Sequence, residues 1–470
     1  MQLKPLIRDT RAKIYRATGI VFLVQLFGAL GAGFFFVVQN ILGVHHMLGA
    51  LEPVNEKILW FILFWGTDFY VIAMSAVLCY LIAGLPGLAP GLALSVYFAH
   101  FSAGTSVIGE EGYFAFFATP IANGGGVNLG YLGYFLMALI CALLIKLLYA
   151  GWDAAKLALG KKLDKTLDKL RKKVKLLPAE LTGLQVIENV DLIVLVLIIP
   201  VASAAATFVL IRYGLQKPFD AFVGAAEEPL QRLLSSHIVL AGLLFGLMVG
   251  FDITGPVSMT AFSAASAAFL LNHDAQPLTI YGVCFIAVGW APLFAALLGK
   301  VLKKKVPADQ DEFNLAVSGP INAFFENIKL TVAFSMPYAL RAPFAVIPGL
   351  MAGAACAGGV TALAGIVNDS YLTTPPKYGL GKSMAELLER GEIYLSFTLP
   401  LRSGDWLRCR IPLFFIILLG GAVGGAVIYA LRLIQVKGQK RRGTYVESAG
   451  DIVLDMRKLG QKRRGEMAGK

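Results

Sequence analysis

Apolar positions in this chain fall in long unbroken blocks rather than in the short alternating runs of strands or half-buried helices. Ten windows carry few charges and approach the roughly 18–25 residues at which an α-helix crosses a bilayer. They lie near 17–43, 58–84, 88–106, 126–150, 190–213, 236–254, 257–272, 277–301, 343–366 and 411–434. A further apolar stretch, 319–341, is rich in Gly, Pro, Phe and Asn and predicts a re-entrant hairpin rather than a clean span. The expected fold is therefore an all-α polytopic membrane protein of about ten transmembrane helices plus that hairpin.

The polar blocks divide the chain. Residues 1–16 form an N-terminal segment, 17–150 a first membrane helix group, 151–189 a basic amphipathic linker, 190–435 a second helix group, and 436–470 a basic tail. Within the linker, Leu163, Leu167 and Leu170 alternate with Lys161, Lys165 and Lys169, the spacing of a helix lying on a membrane surface. A second amphipathic stretch, 214–235, is expected on the outer side. The long loop 367–410 contains KSMAELLERGEIY, which has helical spacing.

Composition sharpens this picture. The chain has 470 residues, 57% hydrophobic and 15% charged, with a mean hydropathy of +0.69, which excludes a soluble enzyme. The net charge of +12 sits in juxtamembrane blocks: Lys4 to Arg16, Lys156 to Lys175, Lys300 to Lys305, and Lys437 to Arg464. Blocks of that kind suit anionic lipid headgroups, not nucleic acid. Placing all of them inside puts both termini and the 151–189 linker in the cytoplasm. The first apolar block is too long for a cleavable signal core. The five cysteines include no CxxC or Cys/His metal spacing, so neither a disulfide framework, a metal site nor a cofactor is expected. Of the five histidines, His100 falls well inside a span.

Candidate chemistry concentrates where charge interrupts apolar sequence. In GFDITGPVSMTA (250–261), Asp252 precedes a Gly-Pro pair, Gly255-Pro256, that breaks a helix and frees backbone amides and carbonyls. Two readings apply: Asp252 caps a kink between two short helices, or its carboxylate accepts from polyol hydroxyls while Ser258 and backbone amides donate to them. In SGPINAFFENIKLTVAFSMPYALRAP (318–343), Asn322 and Glu326 share a helical face and Asn327 adjoins them. Arg341, before Ala342-Pro343, can pair with Glu326 or Asp252, or reach the interface. Phe324, Phe325 and Tyr338 are candidate ring-stacking aromatics, and Asp68 is a further membrane carboxylate.

Four blocks carry a resemblance to a known family. YLIAGLPGLAPGLAL (80–94) resembles the IADRPGLAPG motif of the membrane-embedded IIC component of fructose-type bacterial phosphotransferase systems. GGVNLGYLGYFLMALICALLIKLL (125–148) resembles that family's GFLGAIIAGFLAGY helix. FDITGPVSMTAFSAASAAFL (251–270) is similar to its DMGGPVNKAA pattern, and MPYALRAPFAVIP (336–348) to its IPFAAADPLRVIP. The Gly-rich GLMAGAACAGGVTALAG that follows fits as well. The order holds from about 15 to 435. The polar positions depart: Ser258 and Met259 replace the family's Asn-Lys, Ala342 its Asp, and Gly84-Leu85 its Asp-Arg. The family's Glu aligns with Ala333, leaving Glu326 as the nearest carboxylate.

The resemblance implies an IIC-like permease that takes up a sugar or polyol as a separate phosphorylated IIB protein phosphorylates it. It implies a multi-pass homodimer in the plasma (inner) membrane of a bacterium. No IIB cysteine or IIA histidine phosphorylation motif is recognisable, so no catalytic residue is assigned and phosphoryl chemistry is expected from other chains. The candidate substrate-binding set is Asp252, Gly255, Ser258, Asn322, Glu326, Asn327 and Arg341. The alternative is a non-phosphorylating solute facilitator, or a membrane-bound regulatory protein built on the same scaffold.

Overall fold

Two single-residue breaks, at Gly84 and His237, separate consecutive helices among the described residues. The structure is a computed structural model. It describes residues 9–10, 12–14, 16–18, 20–21, 69–100, 130–171, 182, 187, 190–253, 255–272, 274–302, 316, 335, 338–367, 408–409 and 411–443. Every element is helical: α1 Phe69–Ala83, α2 Leu85–His100, α3 Gly130–Arg171, α4 Ile199–Val209, α5 Lys217–Ser236, α6 Ile238–Phe251, α7 Pro256–Asn272, α8 Gln276–Val301, α9 Pro343–Ala364 and α10 Ile411–Arg442. Gly84 alone separates α1 from α2. Its φ of +79° is one that a side-chain-bearing residue rarely adopts. Glycine is therefore what lets this chain turn where the family pattern has Asp.

Among the described residues, five helical stretches are long and apolar enough to cross a membrane, not ten: Gly133–Leu170, Val190–Leu215, Gln276–Val301, Pro343–Ala364 and Ile411–Arg442. Four shorter apolar helices accompany them: Ile72–Ala83, Leu85–Phe98, Ile238–Phe251 and Thr260–Phe269. The break at Asp252–Gly255 leaves α6 and α7 at 14 and 17 residues, below the roughly 18–20 that a clean crossing needs. Most of the expected block at 17–43, residues 58–68 of the block at 58–84 and the body of the 319–341 hairpin lie outside the described residues, as does 368–407.

The chain forms two compact units. The smaller comprises 72–96 and 134–215, so the helix at 190–215 groups with residues of the expected first helix group. A local clamp explains that grouping. Trp152 Nε1 and Lys156 Nζ donate to the two oxygens of Asp191 at 2.6 and 2.7 Å. One turn before Trp152, Tyr149 donates its hydroxyl to Leu195 O at 2.7 Å. Val194–Ile198 is π-helical, and Ile199 N–H bonds Val194 O, five residues back. In that register the donor for Leu195 O would be residue 200, a proline without an N–H. Tyr149 supplies the missing hydrogen bond.

Residues 151–171 are helical, as expected for the linker, but they continue α3 without a break. At 1.5 Å per residue this 42-residue helix is about 63 Å long. That is about twice the ~30 Å hydrocarbon core, so its basic half extends past the membrane helix instead of forming a separate surface segment.

The larger unit comprises 1–71, 97–133 and 216–470. Its centre is a glycine-mediated stack of α6, α8, α9 and α10. Gly242, Gly246 and Gly250 of α6 lie against Gly358, Ala354–Ala355 and Leu350–Met351 of α9 in antiparallel order. Gly349 and Gly353 of α9 meet Gly424 and Gly420 of α10, and Gly421 and Gly425 of α10 meet Trp290 and Phe294 of α8. Hydrocarbon gives helices no solvent-driven reason to associate, so close backbone approach at small residues supplies the packing instead. The amphipathic α5 buries Leu230 and Leu234, one turn apart, and exposes a Glu228–Arg232 pair.

Candidate functional site

The α6–α7 junction is built from five residues. α6 ends at Phe251, and Asp252 (φ −140°, ψ 71°) leaves the helical region while its own N–H still bonds Met248 O. Gly255 N–H then bonds Asp252 O at 2.9 Å, closing a turn. Pro256 opens α7 at a position where its missing N–H costs nothing. Asp252 reaches over the turn, and its Oδ2 accepts from Val257 N–H at 3.1 Å. A carboxylate there satisfies an orphan amide and faces the positive end of the α7 dipole. A Cβ on Gly255 would overlap the Asp252 carboxylate, so this fold-back requires glycine. Ser258 donates its hydroxyl to Gly255 O at 3.1 Å.

The junction is enclosed. Asp252 is 5% exposed and Ser258 fully buried. Tyr281 of α8, also buried, lies within electrostatic reach of Ser258 and Asp252. Its ring packs between Phe262 and Phe285 at centroid separations of 5.3 and 5.2 Å. Sequence reading missed Tyr281. The one available signal was a hydroxyl-bearing aromatic in the apolar run LTIYGVCF.

Arg341 is buried at 2% exposure, and its Nε donates to Thr18 Oγ1 at 2.9 Å. The structure thus gives it a partner other than Asp252. Ala342 takes the same extended turn (φ −144°, ψ 61°) before Pro343 opens α9. Because α6 and α9 are antiparallel, with Gly250 against Leu350–Met351, Asp252 and Arg341 flank the same end of that pair. The structure therefore brings Asp252, Gly255 and Ser258 into one cluster and adds Tyr281. Asn322, Glu326, Asn327, Phe324, Phe325 and Asp68 lie outside the described residues. No cluster of three or more metal-ligating side chains occurs among the described residues.

The PGLAPG block forms its own contact in the smaller unit. A Cβ on Gly87 would lie 2.5 Å from Cys79 O, and one on Gly91 would lie 2.9 Å from Cys79 Cβ and Sγ. These two glycines, one turn apart, let α2 lie directly on α1. That is the helix-packing role of the motif in this chain.

A chain with these helices is an all-α, multi-pass membrane protein. Its similarities narrow the class. It is 28% identical over 171 residues to the fructose-like permease IIC component 2 of Escherichia coli (strain K12), covering 36% of this chain and 45% of that relative. It is 28% identical over 166 residues to the phosphotransferase-system fructose-specific EIIABC component of Bacillus subtilis (strain 168), covering 35% of this chain and 25% of the relative. A longer match, 24% identical over 362 residues, joins 74% of this chain to 80% of the fructose-specific EIIC component of Haloferax volcanii. The chain thus matches under half the length of the first two relatives. No protein-family model and no solved structure matches it. The chain is thus similar, at 24–28% identity, to proteins named as IIC or IIC-containing components of fructose-type phosphotransferase systems.

Proposed function

We propose that this protein is a sugar or polyol permease of a phosphotransferase system. A separate phosphorylated IIB protein would phosphorylate the solute at the cytoplasmic face. The observation that carries this reading is the broken, carboxylate-bearing α6–α7 junction inside an otherwise apolar helix stack. Broken helices with exposed backbone ends are how transporters build solute sites near the bilayer midplane. One backbone bond uses only part of the acceptor capacity of a carboxylate. Asp252 therefore retains lone pairs for a sugar hydroxyl while it caps α7. Ser258 and Tyr281 offer hydroxyls that donate or accept, and Arg341 offers a cation. Asn322, Glu326 and Asn327 complete the proposed set.

The enclosure of Asp252 fits a gated site: solute enters only when the junction parts from its neighbours, as alternating access requires. The reading also places both termini and the 151–189 segment in the cytoplasm, where their basic blocks face anionic lipid and the IIB partner, and takes the working form as a homodimer. The relatives named for fructose support a sugar substrate at the level of the family, and the replaced polar positions leave the particular sugar open.

Uptake of labelled sugars and polyols tests this, in cells with and without a working phosphotransfer relay. The expected result is accumulation of at least one solute as its phosphate ester, only when the relay is intact. Uptake of unmodified solute independent of the relay would assign the protein to the facilitators. No uptake of any solute would favour the regulatory reading.

A further inference from the structure

The smaller unit contains a thiol pair that the transport reading does not use. Cys79 on α1 and Cys141 on α3 are both fully buried. Cys79 Sγ donates to Ala138 O at 3.1 Å, and Ala138 lies one turn before Cys141. Ser75 Oγ donates to Tyr134 O at 3.5 Å with the same sequence offset, so α1 and α3 run parallel in this register. Cys141 lies one turn further along α3 than the carbonyl that Cys79 reaches, within electrostatic reach of Cys79. From the other side Gly91 of α2 presses on Cys79, since a Cβ there would lie 2.9 Å from its Sγ. One cysteine pair therefore stands where α1, α2 and α3 meet.

We propose that Cys79 and Cys141 are a reversible disulfide site that clamps α1 to α3, oxidised by a quinone dissolved in the bilayer. A disulfide needs Cα atoms about 4.4–6.8 Å apart. Two helices reach that separation only where small residues let their backbones close up, and Ala138 and Ala142 flank Cys141 on the α3 side of this crossing. The reaction balances without any further reagent. Two S–H bonds break and one S–S bond forms, while the two electrons and two protons pass to the quinone carbonyl oxygens to give the quinol. An apolar oxidant partitions into the hydrocarbon around these helices, away from the aqueous glutathione pool that keeps cytosolic thiols reduced. Cys284 is an internal control: it is equally buried, but its neighbour is Gly358 of α9.

The test uses the full chain in native membranes, exposed to a short-chain benzoquinone, then denatured with a maleimide and mapped by mass spectrometry. The expected result is that alkylation falls from five cysteines to three, with a cross-linked peptide joining residues 79 and 141. Dithiothreitol should restore all five. Cys79→Ser and Cys141→Ser should each leave every remaining thiol alkylated after quinone, whereas Cys284→Ser should still show the cross-link. Five alkylated cysteines in the quinone-treated wild type, or a cross-link to any other cysteine, would overturn the proposal; neither readout depends on a variant folding. Equal reaction with water-soluble diamide in place of the quinone would overturn the lipid route of oxidation. The outcome is independent of whether the protein transports sugar.

Discussion

Replacing Gly246 with leucine is expected to abolish folding of the larger unit. The α6–α9 crossing brings Gly246 so close to Ala354 and Ala355 that even a Cβ would overlap their backbone atoms. Flexible side chains can rotate away from an intruder, but helix backbone cannot. Overpacking ordinarily costs about 1–3 kcal/mol and occasionally more, and this site belongs at the upper end because the whole crossing must separate. Set against typical stabilities of roughly 5–15 kcal/mol, such a change should lower the thermal midpoint severely or prevent accumulation in the membrane. Gly151→Ala is the matched control. A Cβ at Gly151 meets nothing within 4 Å, and the position lies inside α3. That substitution should be neutral or stabilising by about 0.5–1 kcal/mol. Thermal unfolding in detergent measures both. Equal midpoints for Gly246→Leu and wild type would show that the glycine stack does not hold α6 to α9.

Gly255→Ala should disable the α6–α7 junction, and removing Asp252 should partly rescue it. The added methyl group would occupy the space of the Asp252 carboxylate, forcing it off the Val257 amide. The single variant therefore loses both the cap and the position of the acidic group. In the double variant Asp252→Ala/Gly255→Ala the obstruction is gone, so its stability should exceed the sum of the single effects by about 0.5–3 kcal/mol. Transport should not recover, because the carboxylate is absent. A Gly255→Ala protein with wild-type unfolding and wild-type uptake would mean that the fold-back over the turn serves neither structure nor function.

The legible and illegible parts of this molecule differ in kind. Apolar block length marked the helices at 190–213, 277–301, 343–366 and 411–434, because hydrocarbon thickness imposes that length directly. The Asp-Thr-Gly-Pro break was legible for the same reason: charge, glycine and proline each act locally on the backbone. Of the two readings offered for Asp252, the structure gives the capping geometry, and a capping carboxylate keeps acceptor capacity for a solute. Tyr281 was hidden because its importance depends on which helix face meets Ser258, a tertiary fact. The Asp191 clamp was hidden likewise, since its partners lie 35 and 39 residues away. The linker misled for a different reason. A run of lysines looks the same whether its helix turns along the membrane or continues the axis of the preceding span, and here the helix continues. Charge and glycine at 252–255 divide the apolar windows 236–254 and 257–272 into helices each shorter than a clean crossing.

The central claim is that Asp252 both caps α7 and binds solute, and Asp252→Asn separates those roles. Asparagine caps helices about as well as aspartate, so its side-chain oxygen can still accept from Val257 N–H and the protein should keep its thermal midpoint. It loses the negative charge that strengthens hydrogen bonds from sugar hydroxyls. Losing one such charge-assisted bond is worth on the order of 1.5–3 kcal/mol, about ten- to a hundredfold in affinity. The measurement is a binding titration of purified wild type and Asp252→Asn with whichever sugar or polyol the uptake panel identifies. The expected result is a dissociation constant about ten- to a hundredfold larger with an unchanged unfolding midpoint. Wild-type affinity in the Asp252→Asn protein would contradict it, leaving Asp252 as a helix cap alone.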